Sequence, residues 1–128
     1  MGAIRNLTPH PIRIFRREDA ALDTRTKSYR LLVPGTLPMV EFPPEGGELP
    51  RVDVSEKEMG RVEEIPLVGV SYGAIRGLPE ETPGTYLVVS ALAAKAARES
   101  GRKDCLIPTG MVRDEAGAIL GCVALGLE

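Results

Sequence analysis

Residues 83–101 read PGTYLVVSALAAKAARESG, and this stretch decides the expected fold because it predicts a strand followed directly by a helix. Residues 85–89 form the most apolar run of the chain, which is typical of a central, buried strand. Ser90 has the side chain of a helix N-cap, and the alanine-rich segment after it has high helix propensity. Gly101 suits the left-handed residue that ends a helix. The sequence therefore predicts a principal helix at about residues 90–100.

Upstream of this unit, alternating or β-rich runs predict further strands. They lie at residues 12–16, 29–33, 51–54 and 65–71, and residues 73–76 continue the last run after a break. The charged residues 56–62 are ambiguous. Polar residues 17–27 predict a hairpin connection or a mobile loop, and the proline-rich residues 34–50 predict an edge strand or an extended loop.

Downstream of the helix, the sequence predicts a short strand, a turn and a hairpin. The strand lies at residues 106–107 and the turn at residues 108–110, while the hairpin joins residues 111–113 to 118–125 through a turn that ends in Gly117. Because tryptophan is absent and only five residues are aromatic, the core is expected to be aliphatic. Together these elements predict a single domain, residues 1–128, of the α+β class, with a mostly antiparallel sheet and one principal helix.

Composition and charge narrow the class of protein. No apolar run approaches the roughly 20 residues of a membrane span, and no apolar stretch follows the first charge as in a signal peptide. The two cysteines are therefore expected to be reduced, and the protein to be cytoplasmic without a membrane partner. The net charge of −2 excludes a surface that is basic throughout, so DNA is not an expected partner.

The basic residues are nevertheless unusual. Residues 1–30 carry a net charge of +4 and residues 31–66 a net charge of −5, and twelve of the sixteen basic residues are arginine. One interpretation is a GC-rich or heat-adapted genome. The other is anion recognition, since a guanidinium presents a planar fork to a phosphate.

Motifs of catalysis are missing from the chain. It contains neither of the glycine-rich phosphate-binding patterns nor the Gly-x-Ser-x-Gly nucleophile pattern. His10 is the only histidine, so a serine or cysteine nucleophile would have to use it as base. One histidine and two cysteines without ligand spacing predict no metal site. We therefore expect no enzyme activity, no cofactor and no metal.

Several residues are candidates for binding a ligand instead. The Thr109 hydroxyl, the Gly110 amide and the Arg113 guanidinium would together hold a phosphate if residues 108–110 form a turn. Asp114 is a candidate beside them, and the alternative is that its carboxylate caps the turn that it begins. Arg113 would otherwise be a surface strand residue paired with a carboxylate.

Three further candidates each have a structural alternative. Ser90 caps the helix, whose N-terminus would also attract an anion. Tyr72, outside the clear periodic run, would stack on a base or complete a core. His10, between two prolines, would fix the backbone before the first strand, contact a ligand or act in catalysis.

Four segments resemble one family. They are Asn6-Leu7-Thr8-Pro9-His10, Gly77-Leu78-Pro79-Glu80, the run from Pro83 to Leu92, and Val112-Arg113-Asp114-Glu115-Ala116-Gly117-Ala118-Ile119-Leu120-Gly121. In these segments, which cover the N-terminus and the last fifty residues, the chain resembles the phage anti-Thoeris sponge proteins. Residues 17–62 show no such likeness. Asn6 and Thr8 of the opening pentapeptide complete the candidate ligand-binding residues.

The resemblance implies a function in phage immune evasion. Proteins of that family sequester cyclic ADP-ribose isomers made by a host defence system without cleaving them, and some also hold cyclic oligonucleotides. The resemblance further implies a homo-oligomer, a dimer or hexamer, in the host bacterial cytoplasm, and a nucleotide pocket with an arginine at the position of Arg113. The alternatives are a phage inhibitor that binds a host protein, for which the acidic residues 41–64 are the best feature, and a cyclic-nucleotide hydrolase.

Overall fold

Strands dominate the backbone of residues 2–127, which the computed structural model describes. Strands make up 51% of it and helix 10%. The strands are β1 (Ala3–Asn6), β2 (Ile12–Ile14), β3 (Ala20–Asp23), β4 (Ser28–Leu31), β5 (Val40–Phe42), β6 (Arg51–Val62), β7 (Ile65–Arg76), β8 (Thr85–Val88), β9 (Cys105–Arg113) and β10 (Ile119–Leu127). A 3-10 helix, Arg17–Asp19, precedes β3, and the single α-helix among these residues, α1 (Ala91–Glu99), joins β8 to β9.

The predicted helix is confirmed together with its two ends. The Ser90 hydroxyl accepts a hydrogen bond from the Ala93 amide at 3.2 Å, as an N-cap does. Gly101 follows the last turn with a φ of 96°, the left-handed conformation in which glycine carries no Cβ penalty. The buried alanines of α1 let the helix approach β8 and β9 closely, and no helix in residues 2–127 has the length and hydropathy needed to cross a membrane.

The predicted fold class is wrong, because the main sheet is mixed and nearly closed on itself. Its strand order is β1-β8-β9-β10-β2-β5, with β4 pairing with the end of β9 and β3 with β4. The pairs β1–β8, β8–β9, β4–β9 and β2–β10 are parallel. The sequence favoured an antiparallel arrangement, but a strand that leads through a helix to the next strand returns in the same direction. The β8-α1-β9 crossover therefore makes the centre of the sheet parallel.

One buried side chain links the two ends of the strand order. Asn6, at the end of β1, is 2% exposed, and its amide nitrogen donates to the carbonyls of His10 (2.8 Å) and Phe42 (2.9 Å). Its amide oxygen accepts from the Thr8 amide at 3.0 Å and from the Thr8 hydroxyl at 2.6 Å. Because Phe42 ends β5, the Asn6 side chain closes the gap that the backbone ladder leaves between β1 and β5.

The core is mainly aliphatic, as predicted, with Phe15 as a buried aromatic residue, and it lies in three clusters. The first packs α1 against β8 and the start of β9 and includes Leu87, Val89 and the buried alanines. The second, around Ile12, Ile14, Val88, Leu106 and Cys122, lies on the other face of the sheet. The third, around Phe15, Val112 and Val123, is covered by Tyr29 and Leu31 of the β3–β4 hairpin.

The predicted turn at residues 108–110 is wrong, because β9 runs through it. Gly110 has a φ of 67°, and a Cβ there would meet the side chains of Val123 and Tyr29. Leu106 and Met111 pack against the same cluster although an odd number of positions separates them. Since side chains alternate strictly along a regular strand, the left-handed Gly110 must reset the alternation. Val112 therefore faces the third cluster, and Arg113 faces the opposite side.

The remaining differences concern short or charged strands. β1 and β3 were not predicted, although the turn that joins β3 to β4, residues 24–27, lies in the segment for which a hairpin connection was predicted. Residues 51–54 and the ambiguous 56–62 form one strand, β6, and β7 continues through residue 76, as expected from the two runs there. The edge strand predicted in residues 34–50 is β5, and the hairpin with a turn ending at Gly117 is confirmed as β9–β10.

A buried ion pair fixes the chain between α1 and β9. Arg102 donates to both carboxylate oxygens of Asp104, at 3.0 and 2.8 Å, and to the carbonyl of Pro79 at 2.8 Å. Asp104 is 5% exposed, and the hydrogen bonds from Arg102 hold the pKa of its carboxyl below the ordinary value of 3.8. The charged carboxylate is therefore the form that the fold stabilises.

Stability should consequently depend on the charge of Asp104. A carboxyl whose pKa is lower in the folded than in the unfolded chain stabilises the fold fully above the unfolded pKa, and the effect is lost as pH falls through the folded pKa. We expect Asp104→Asn to lower the free energy of unfolding by about 2 kcal/mol at pH 7, because the Arg102 charge loses its partner. Urea titrations at pH 7 and pH 3 should show a smaller difference between variant and wild type at the lower pH. An equal difference at both pH values would contradict this role.

Candidate functional site

A groove lined by two arginines lies beside the end of β9. Its volume is about 590 Å³, within the range of small-molecule sites. The residues of this arginine groove are Arg30, Leu31, Pro34, Gly35, Arg113, Asp114, Glu115, Ala116 and Leu120. It therefore combines cationic, anionic and apolar side chains on one concave surface.

Strand register explains why the two arginines lie together. In the parallel pair β4–β9, Tyr29 is the partner of Val112, so the next residues along the strands are Arg30 and Arg113. Tyr29 and Val112 both pack in the third cluster, and alternation turns the following residue of each strand to the opposite face. Arg30 and Arg113 are therefore neighbours on the face that the groove opens from.

Neither arginine of this pair forms an ion pair within residues 2–127, although Asp114 and Glu115 line the same groove. The Arg113 Nη1 donates to the carbonyl of Gly117 at 2.8 Å, and no carboxylate of the described residues lies within ion-pair distance of Arg113 or Arg30. The predicted alternative, a surface ion pair for Arg113, is therefore not what this part of the chain forms. Like charges on adjacent strands repel one another, and a bound anion would relieve the repulsion.

Asp114 performs the turn-capping role that the sequence left as an alternative. One of its carboxylate oxygens, Oδ1, accepts from the amides of Ala116 and Ala118, each at 2.9 Å. This arrangement orders the turn that forms one wall of the groove. The other oxygen accepts no hydrogen bond from the described residues, which leaves one acceptor of Asp114 for a ligand.

Thr109 does not join Arg113 in a phosphate-binding turn. Both lie on β9, four residues apart, which separates their Cα atoms by about 13 Å at the rise of a strand. Thr109 pairs with Ala124 of β10, and its methyl group lies beside Gly126. The structure therefore places Thr109 outside the arginine groove.

The opening pentapeptide lies at a neighbouring site. His10 is exposed and lines, with Arg13 and Met111, a second cavity of about 420 Å³ that shares Leu120 with the arginine groove. His10 contributes its backbone carbonyl to the Asn6 hydrogen bonds. The polar groups of Asn6 and Thr8 bond to each other and to the backbone of His10 and Phe42, so they hold the loop rather than face either cavity.

Ser90 and Tyr72 lie away from both cavities. The Ser90 hydroxyl serves as the N-cap of α1. Tyr72 is 59% exposed on β7, which belongs to a separate two-stranded sheet with β6. Of the eight predicted site residues, the structure thus brings only Arg113 and Asp114 into the arginine groove.

The thiols are poorly suited to nucleophilic attack. Cys105 and Cys122 are free and buried. Burial raises the pKa of the Cys105 thiol to about 11, with the nearby Asp104 charge as a second cause, and burial also raises the pKa of Cys122. Both therefore remain protonated at neutral pH. Histidine, cysteine, aspartate and glutamate residues form no group of three or more that would hold a metal in the described part of the chain.

Arg30 is the groove residue that sequence analysis missed. The pattern Tyr29-Arg30-Leu31 places one charged residue between two that pack inward, which indicates an arginine on the outer face of a strand. Nothing in the sequence indicates that β4 pairs with β9, and it is this pairing that places Arg30 beside Arg113.

No protein-family model, curated protein or solved structure matches this chain.

Proposed function

We propose that this protein binds and sequesters a cyclic ADP-ribose isomer, or a related cyclic nucleotide immune signal, without cleaving it, and thereby inhibits a host anti-phage defence. The observation that carries the proposal is the adjacent pair Arg30 and Arg113, two guanidinium groups without a carboxylate partner in one groove. The choice of nucleotide in this proposal comes from the resemblance of four segments to the anti-Thoeris sponge proteins.

The two arginines suit a pyrophosphate. Such a ligand carries about two negative charges and must lose water when it enters a groove. Each guanidinium offers parallel charge-assisted hydrogen bonds, worth roughly 1.5–3 kcal/mol each, that offset this cost. Two guanidinium groups match two phosphates in number.

The other groove residues suit the nucleoside parts. Leu31, Pro34 and Leu120 provide an apolar surface for a base or a ribose ring. The free carboxylate oxygen of Asp114 is an acceptor for a ribose hydroxyl or an exocyclic amine. Because both cysteines are protonated and buried, the arrangement supports holding a ligand intact.

A retention experiment tests this function. The protein is incubated with a cyclic ADP-ribose isomer, freed of unbound ligand by gel filtration and heated, and the supernatant is analysed by mass spectrometry. We expect intact ligand at about one molecule per chain, in the presence or absence of EDTA. A chemically changed ligand would instead indicate a hydrolase, and no released ligand would contradict the proposal and favour a protein-binding inhibitor. Loss of retention only with EDTA would require a cation at the site.

A further inference from the structure

The β6–β7 hairpin, residues 51–76, projects as an arm from the main sheet. Each strand has twelve residues, which makes the arm about 40 Å long at the rise of a strand. Its base packs against α1 through Ile75, but residues 53–74 are exposed except for Gly69. Most of the arm therefore contacts nothing else within the described residues.

The arm exposes much apolar surface, and as a two-stranded structure it has little stability of its own. A two-stranded hairpin alone in water is marginally stable at best. Eight large apolar side chains of the arm are 42–70% exposed: Val54, Met59, Val62, Ile65, Leu67, Val68, Val70 and Tyr72. Their exposed area is on the order of 700–800 Å², divided between the two faces of the arm because side chains alternate along each strand.

The two edges of the arm differ in charge. From Ile65 to Ile75, β7 has no charged residue, whereas β6 carries Glu56, Lys57, Glu58 and Arg61 within the same stretch. Natural proteins protect an exposed edge strand with charged side chains. The β6 edge is protected in this way, whereas residues 68–72 of β7 contain neither a charge nor a proline and keep a regular register, so this part of the β7 edge can accept another strand.

We propose that the arms of two copies of this chain pair antiparallel through their β7 edges, forming a four-stranded sheet in the order β6-β7-β7-β6. This contact is isologous, so it closes after two copies, and the charged β6 strands end the sheet on both sides. The inference stands on the arm alone and does not depend on the proposed function.

The register follows from the side-chain alternation. Directly opposite residues of an antiparallel pair share a face, so the paired residue numbers must add to an even number. Pairing centred on Val70 places Val70 opposite the partner's Val70, and Val68 opposite the partner's Tyr72. The apolar side chains of one face of β7 then meet across the dyad, which is the arrangement that cross-strand pairs stabilise.

Charge at the two ends of the arm favours a second copy as the occupant. At the base, Arg51 is the direct cross-strand partner of Arg76, which donates to the Asp53 carboxylate at 2.9 Å, so the two arginines and the aspartate leave one net positive charge there. At the tip, Glu63 and Glu64 form the turn, with positive φ values of 48° and 67°. Antiparallel pairing of two arms brings the acidic tip of each beside the basic base of the other. Residues 51–76 carry a net charge of −1, so the two arms do not repel each other strongly.

Mass measurement tests the pairing through a charge placed at its centre. In sedimentation velocity at about 20 µM, we expect wild type to have the mass of an even number of chains and Val70→Lys to have half that mass. Val70 is 46% exposed on the arm, so the substitution should leave the fold, checked by circular dichroism, unchanged. The matched control is Val54→Lys, which puts the same charge on the outer strand β6 and should keep the wild-type mass. A monomeric wild type, or an unchanged mass in Val70→Lys, would overturn the proposal.

Cross-linking tests the register separately. Residues that face each other across the dyad come within disulfide distance, so Val70→Cys should form a covalent dimer when oxidised glutathione accepts the two electrons. Val54→Cys should not, and the native Cys105 and Cys122 are buried. A covalent dimer of Val70→Cys would support the proposed register, in which the two Val70 residues face each other. Equal cross-linking of both variants, or of neither, would overturn the pairing centred on Val70, and together with a monomeric wild type it would leave a different protein partner as the occupant.

Discussion

Replacing Asn6 with alanine is expected to lower the free energy of unfolding by about 3–5 kcal/mol, the largest effect on stability that we expect from a single polar residue. The Asn6 side chain makes four hydrogen bonds, and it is 2% exposed. Alanine leaves the part-buried Phe42 carbonyl and Thr8 amide without these partners and opens a gap in place of a buried side chain, and each unsatisfied buried group costs about 1–3 kcal/mol. Urea denaturation followed by circular dichroism measures the change.

Thr8→Val is the matched control for Asn6→Ala. It removes the hydroxyl that donates to the Asn6 amide oxygen but leaves the Asn6 contacts with His10 and Phe42 in place. We expect it to lower the free energy of unfolding by about 1 kcal/mol, the net value of one hydrogen bond. A loss in Asn6→Ala no larger than that in Thr8→Val would show that the gap between β1 and β5 is closed by other contacts.

The second large effect is expected on ligand binding when both groove arginines are removed. Arg113→Ala alone should weaken retention of a cyclic ADP-ribose isomer about tenfold to several hundredfold, since it loses two charge-assisted hydrogen bonds. Arg30→Ala should have an effect of the same order. The double variant should retain no measurable ligand in calorimetry, because a pyrophosphate would then lose water without any cationic partner.

Two further variants distinguish recognition by the guanidinium group from general attraction by positive charge. Arg113→Lys should recover only part of the affinity, since an ammonium lacks the planar fork. Lys95→Ala removes one positive charge from the exposed face of α1 and should bind as wild type does. Wild-type affinity in Arg113→Ala, with the fold confirmed by circular dichroism, would remove the groove from the proposed function.

Local features of the fold were predictable from the sequence, and pairing between distant segments was not. The cap at Ser90, the alanine face of α1 and the glycine at residue 101 are short-range signals, and the helix that they predict is present. The direction of the strands depends on which segments pair. β1 and β8, for example, are parallel neighbours with Ala3 opposite Thr85. No periodicity within either segment contains that information.

In the candidate site, too, residues close in sequence were predictable and those brought together by strand pairing were not. Arg113 and Asp114 are adjacent in sequence and belong to a turn that glycine and aspartate signal, so both were accessible to sequence reasoning. Arg30 reaches the groove through a single parallel pairing, Tyr29 with Val112. Thr109 was misplaced because the sequence Pro-Thr-Gly is typical of a turn, whereas here Gly110 uses its positive φ to reset a continuous strand.

The pairing of early with late strands has a consequence for the order of events during synthesis. β1 pairs with β8, and β2 pairs with β10 through Ile14 and Cys122, more than one hundred residues later. A ribosome must therefore release residues beyond 122 before the main sheet can close, although β1 leaves the exit tunnel first. Until then the nascent chain holds unpaired strands, and the first sheets that can form are the β3–β4 hairpin and then the arm, each of which joins two strands adjacent in sequence. Folding is thus expected to be late and governed by long-range contacts, on the slow, millisecond-to-second end of the range for small domains.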